Sequence, residues 1–476
     1  MKKIGLFSVA CLLSGSVLAD EINVSPETRQ DLYLTIYNQN RALVSDVRTA
    51  YVPQGKSSLV FSSVSDFLIP ESVFVKLPDA KILEQNFNYD VLSMNTLVQK
   101  SEGKEVGLLR TNPATGQQVL SKAVLLSSQN GYNPVLKIGD RIEPDFDGKL
   151  VFFSIPENLR DKPTLEIQTQ AQTASDRTIE VNYLTEGLSW KADYVAQLQT
   201  DDSQMALNGF VTLTNDSATD FNQAKIQLIS GDVNLVQQNE GYNKPYLLKA
   251  SVANLGMSMD SAAGESMPVE SLSDYYLYTL EEKTDLLSRQ KKQVSLFSEI
   301  SVPVEKSYEY ENLVTVNNSS RDFETKDRKP MTLLKFKNTK AEGLGFALPA
   351  GTIRVYKTNQ EKQMVFVGED KMNPIAQNHD VKVKLGEAFD IFAKAKRTSF
   401  TSLGKTAYEA SYEMTLQNSK AQEAQVKIIQ SIPYSWKITE ESTPSVKESS
   451  NQVSWTVTLP PQKEVKVTFK VQVRFE

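Results

Sequence analysis

The sequence predicts an all-β, multi-domain protein built of packed β-sandwiches, and three observations carry that expectation. Short runs rich in Val, Ile, Leu, Thr, Tyr and Phe alternate with polar residues through most of the 476 positions. Gly, Asn and Asp turns break those runs at close intervals, as hairpins require. The best helical stretch, Ser93 to Ser101, is short and ends near Gly103.

At the start of the chain, Met1, Lys2 and Lys3 precede the apolar stretch Ile4 to Leu13 and small residues up to Val17-Leu18-Ala19. These are the three parts of a secretory signal peptide, with cleavage between Ala19 and Asp20. The apolar stretch falls short of the roughly 20 residues of a spanning helix. No later segment approaches that length, so the expected mature chain is exported without a transmembrane segment. The periplasm is the first expected destination, and the cell surface or secretion is the alternative. Cys11 is the single cysteine and leaves with the signal, so stability must come from apolar burial rather than disulfides. Ser8-Val9-Ala10 ahead of it lacks the leucine of a lipidation site. Losing Lys2 and Lys3 leaves 50 Lys and Arg against 58 Asp and Glu, a net charge of −8. An acidic chain without a basic run points away from nucleic acid as a partner.

Residues 20–92 read as an N-terminal β segment with strands at Leu32 to Tyr37 and Leu59 to Phe61. Residues 93–158 read as a small inset, one short helix feeding the strands Glu105 to Leu108, Val119 to Ser127, Pro134 to Ile138 and Lys149 to Phe153, in the manner of an SH3-like or Sm-like barrel. Residues 159–375 form a central β-sandwich region, with strands such as Thr178 to Tyr183, Gly209 to Thr214 and Lys225 to Ile229. Within it, 237–270 is expected to be a flexible loop, because Ser, Ala, Gly, Met and Asn crowd out apolar periodicity. Residues 376–476 complete the series as an immunoglobulin-like sandwich without a disulfide, with Trp455 as its core anchor.

Chemistry-bearing residues are sparse. His379 is the one histidine and sits in a polar turn, and the mature chain has no cysteine, which removes multi-His and Cys zinc sites and thiol nucleophiles. Gly187-Leu188-Ser189-Trp190-Lys191 opens like a nucleophile elbow, but Lys191 stands where the second glycine belongs, so a hairpin turn is expected. The pairs Ser101/Lys104, Ser288/Lys291 and Ser402/Lys405 lack the partner motifs of a serine acyltransferase. Glu143, Asp145, Asp147 and Gly148 begin a calcium-loop alternation whose closing acid would fall at Ser154, so Asp147-Gly148 is also expected to be a hairpin turn. Met257, Met259 and Met267 have no His or Cys beside them and read as an exposed linker rather than a soft-metal site. No catalytic, cofactor-binding or metal-binding residue is assigned. Trp190 and Tyr194 fall on one strand face; packing is their default role, and an exposed aromatic face for sugar stacking is the candidate binding surface.

Tyr183-Leu184-Thr185-Glu186-Gly187-Leu188-Ser189-Trp190-Lys191-Ala192-Asp193-Tyr194, with 207–217 and 224–234, resembles the bacterial domain-of-unknown-function family 4139. Leu344 to Gly351, Val367 to Asp370 and Leu385 to Asp390 extend the resemblance over most of the mature chain. That family is similar to mucoidy-inhibitor proteins, whose name points to surface polysaccharide, although those carry coiled-coil segments that this chain lacks. The resemblance implies a β fold in the envelope and supplies no catalytic residues. The leading expectation is a non-enzymatic envelope scaffold or binding protein whose partner is another envelope protein or a glycan. Its rival is a carboxylate-dependent hydrolase of envelope polysaccharide or peptidoglycan.

Overall fold

The structure, a computed structural model, describes residues 20–88, 92–156, 159–231, 233–234, 267–272, 274–318 and 323–475. The expected signal segment, Ala19 included, and residues 237–266 of the expected loop lie outside the described residues. Strand makes up 63% and helix 4%, so the protein is all-β. Two compact units are present. Unit 1 takes the chain up to Ser189 with Thr214–Leu228 and Leu280–Lys292, and unit 2 takes Trp190–Leu213, Ile229–Thr279 and Gln293–Glu476. No helix among the described residues is long and apolar enough to cross a membrane.

Unit 1 opens with β1 (Asp20–Val24), β2 (Arg29–Tyr37), β3 (Arg41–Val52), β4 (Gly55–Ser62), β5 (Phe74–Lys76) and β6 (Ala80–Asn88). After an inset come β12 (Thr164–Ala171) and β13 (Ser175–Thr185). One sheet has the order β1-β4-β12-β6, with β1 parallel to β4. In another, β2, β3, β13 and β5 are neighbours in that order, with Phe221–Ser230 beside β2. Alternation sends Leu32, Leu34, Ile36, Val44, Ile179 and Val181 of the second sheet into the interior, and β4 and β12 bury Leu59, Phe61, Leu165 and Ile167.

Arg48 also points inward and is fully buried. Its guanidinium lies 3.8 Å from the centre of the Phe61 ring, meets both Asp46 oxygens, and donates to the Val24 and Ser62 carbonyls at 2.7 and 2.8 Å. One side chain on β3 therefore holds the ends of β1 and β4. Burial pushes the Asp46 carboxyl up, but hydrogen bonds from Arg29 and Arg48 outweigh it and hold the group below the usual range.

The inset lies between β6 and β12, which pair antiparallel with Asn88 opposite Thr164. It contains α1 (Met94–Lys100), β7 (Glu105–Thr111), β8 (Gln118–Gln129), β9 (Tyr132–Ile138), β10 (Arg141–Glu143) and β11 (Lys149–Val151). Ser93 caps α1, its Oγ accepting from the Thr96 N–H while Thr96 Oγ1 accepts from the Ser93 N–H. The helix and the four strands read from the sequence are present, with β10 in addition, but the barrel does not close. The order β10-β9-β8-β7-β11 leaves β10 and β11 at opposite edges. Each is only three residues long, and Arg110 of β7 reaches Glu143 of β10 at 2.7 Å.

Largely in unit 2, Gln290–Pro303, Gln204–Asn215, Leu188–Leu198, Gly351–Thr358 and Met364–Met372 are successive strands of one sheet. The C-terminal sandwich sets Ile391–Ser402, Ala407–Asn418, Glu464–Arg474 and Ser435–Glu441 against a sheet containing Met331–Lys337, Glu305–Glu311, Ala424–Ser431 and Gln452–Leu459. Trp455 is fully buried, with its ring centre 4.7 Å from that of Phe469. Tyr308, Tyr310 and Leu313 belong to the same core, so residues 376–476 do not contain all of it. The expected 237–270 loop is also too long. Val269–Leu272 is a strand, and Met267, expected to be exposed, is buried with its N–H donating to the Leu296 carbonyl at 2.9 Å.

Candidate binding surface

Trp190 and Tyr194 do not form an exposed face. They are 4% and 0% exposed. Trp190 Nε1 donates to the Ile229 carbonyl at 3.2 Å, and Tyr194 Oη donates to the Pro349 carbonyl at 2.7 Å. Their rings pack near Tyr278 and Phe297 respectively. An aromatic ring with a polar tip is stably buried when that tip finds a carbonyl, and both do. Burial pushes the Tyr194 hydroxyl well above its usual pKa.

The other sequence candidates resolve into local structure. Asp20 opens β1. Gly187 takes a positive φ of 81°, and a Cβ there would lie 2.7 Å from Phe67, so the segment before Ser189 is a turn that requires glycine. Lys191 pairs with Asp193 at 3.5 Å. His379 is exposed, with Nδ1 3.0 Å from the Gln377 carbonyl. Glu143 is engaged by Arg110, and Gly148, at φ 133°, makes the turn before β11. Among the described residues, no group of three or more His, Cys, Asp or Glu side chains could hold a metal ion.

Hydrolysis by carboxylates needs one acid with a raised pKa facing another. Each described carboxylate whose pKa is displaced moves downward. At Asp193, burial raises it but hydrogen bonds from Thr212 and Arg354 prevail; at Asp202, burial is outweighed by Lys306 and Lys357. One cleft lined by several acids, of about 180 Å³, holds Glu309, Glu311 and Glu387 beside Arg328, Lys329 and Lys384. Met331 pairs with both Glu309 and Glu387, placing the two acids on either side of it. Lys382 donates to Glu309 at 3.2 Å, and Arg328 is committed to the Asn312 and Glu311 carbonyls.

A different surface stands out on the inset. Val106, Leu108, Ala123, Leu125 and Leu136 face its small core together with Val98 of α1. The opposite face of β7 carries Gly107, and a Cβ there would meet Leu120, Phe153 and Val151 within 3.2 Å. Those three side chains thus converge over the glycine, with Leu120 53% and Phe153 57% exposed. Met94, Val119, Tyr132, Ile142 and Ile155 of the same inset are also exposed. Sequence reasoning missed this surface. Its signal was adjacent apolar residues within strands, Val119-Leu120 and Leu125-Leu126, since alternation must turn one of each pair outward.

No curated protein matches the chain. One family matches residues 179–476, and its description is "Domain of unknown function (DUF4139)".

Proposed function

The chain belongs to the DUF4139 family, and on that premise we propose that it is an exported, non-enzymatic scaffold or binding protein of the cell envelope. The observation that carries this reading is the apolar surface around Gly107, where Leu120, Val151 and Phe153 converge. Exposed apolar groups gathered on one face are costly in water and are retained where a partner covers them. Asp193 and Asp202, two acids of unit 2, are held below their usual range, whereas a general acid of a hydrolase would be displaced the other way.

The test is crosslinking in intact cells followed by affinity purification of the tagged full-length protein, beside a Leu120→Ser, Phe153→Ser double variant. One abundant envelope partner captured by the wild type and lost from the variant is the expected result. A folded protein that captures nothing and shortens an envelope polymer would overturn it. The cleft holding Glu309 and Glu387 is where mutagenesis would then begin.

A further inference from the structure

Strands β2, β3, β13 and β5 carry a row of residues across the sheet: Tyr33 opposite Ser45, Ser45 opposite Asn182, and Asn182 opposite Phe74. Their strand neighbours Leu34, Val44, Val181 and Val75 are buried, so alternation turns the row to the outer face. Tyr33 is 39% and Phe74 59% exposed, while Ser45 and Asn182 between them are half-buried. Three strand spacings separate the rings by about 14 Å. The result is a trough flanked by aromatic rings whose floor continues along β3 and β13 as Val47, Thr49, Thr178 and Glu180, the last paired with Lys76 and accepting from Asn182 Nδ2 at 2.9 Å.

The charges beside the trough cancel in place. Lys225 and Lys283 each reach Asp31 at 3.1 Å, and Lys76 reaches Glu180 at 2.8 Å. Lys225 also lies 4.7 Å from the centre of the Tyr33 ring and holds it from one side.

The geometry points to a binding trough for an uncharged glycan strand, with sugar faces stacking on Phe74 and Tyr33 and hydroxyl groups meeting Ser45, Asn182 and the threonines. A sugar ring has an apolar C–H face and a polar rim, which is the alternation this row presents. A nucleic acid or acidic polymer would call for cations without partners, and here Lys76, Lys225 and Lys283 all have carboxylates. A lipid surface would call for a continuous apolar patch, which Ser45 and Asn182 interrupt. The inference rests on the reading that the chain binds rather than cleaves, and it concerns a different surface from the one around Gly107.

The experiment is affinity electrophoresis of the full chain through gels containing dextran, pullulan, galactomannan or hydroxyethylcellulose, with an array of bacterial envelope glycans run in parallel. At least one neutral glycan should retard the wild type. Phe74→Ala and Tyr33→Ala should each weaken that retardation about tenfold, corresponding to one lost stacking contact, with unchanged melting temperature. Phe153→Ser should bind the glycan like wild type. Absence of binding by folded protein, binding indifferent to both aromatic variants, or binding confined to acidic glycans and abolished by salt would each overturn the trough. Shortening of a bound polymer would instead overturn the non-enzymatic reading.

Discussion

The C-terminal sandwich and the inset use the same strand chemistry with opposite results. The sandwich gathers twenty-six buried residues into one core, from Tyr308 to Val473, and leaves four large apolar residues exposed, among them Phe389 and Tyr434. The inset, a much shorter stretch, buries six residues and exposes nine, including Leu120 and Phe153. Two facing sheets give each strand an apolar partner surface. A single open sheet with one short helix covers one face, and the other must meet water or a partner. A large core is explained by stability alone, while an exposed apolar face needs a second reason.

The sharpest way to break the comparison is Trp455→Ala. With the ring fully buried against Phe469, the sandwich should lose about 3–5 kcal/mol, seen as an earlier denaturant midpoint by tryptophan-independent circular dichroism. A loss under about 1 kcal/mol would mean that the core is far looser than its packing. Next in size is Leu125→Ala, which should cost about 2–3 kcal/mol. With so few core residues, the cost should appear as local opening, read by proteolysis and amide exchange within 92–156 while the main transition stays in place. A smaller effect concerns acid. Hydrogen bonding from Lys396 is the main cause holding Glu413 below its ordinary pKa of 4.5. A depressed folded-state pKa stabilises above the unfolded value and is lost as pH falls through the folded one. Glu413→Gln should therefore flatten the stability loss below about pH 4.5 in acid titrations. Leu120→Ser with Phe153→Ser should change stability least, within about 0.5 kcal/mol, while raising solubility; a large destabilisation would place those residues in the core and erase the contrast.

Much of this was legible from sequence because strands announce themselves by period. The runs around Leu32, Ile179 and Val453 became strands, Ser93 became a cap, and Gly187 and Gly148 became turns. What period does not disclose is which of two faces is the core. Trp190 and Tyr194 were recognisable as sharing a face, yet their burial depends on Ile229 and Pro349, distant carbonyls that only the fold brings within reach. Arg48 is in phase with Val44, but its charge argues against the interior until Asp46, Val24 and Ser62 supply its partners. The row from Tyr33 to Phe74 needs the register of three strand pairings, and no single segment contains that information.

The antiparallel pairing of β6 with β12 bears on the order in which the chain can assemble. Asn88 and Thr164 are opposite one another with about 75 residues between them. A ribosome therefore delivers one side of this hairpin long before the other. Closing so long a loop costs only slightly more than closing a short one, because the entropy rises with the logarithm of length. If the intervening segment has already compacted, its two ends start close together and the cost falls further. The inset would then act as the turn of an oversized hairpin, and its own folding would set how quickly β4, β12 and β6 come into register.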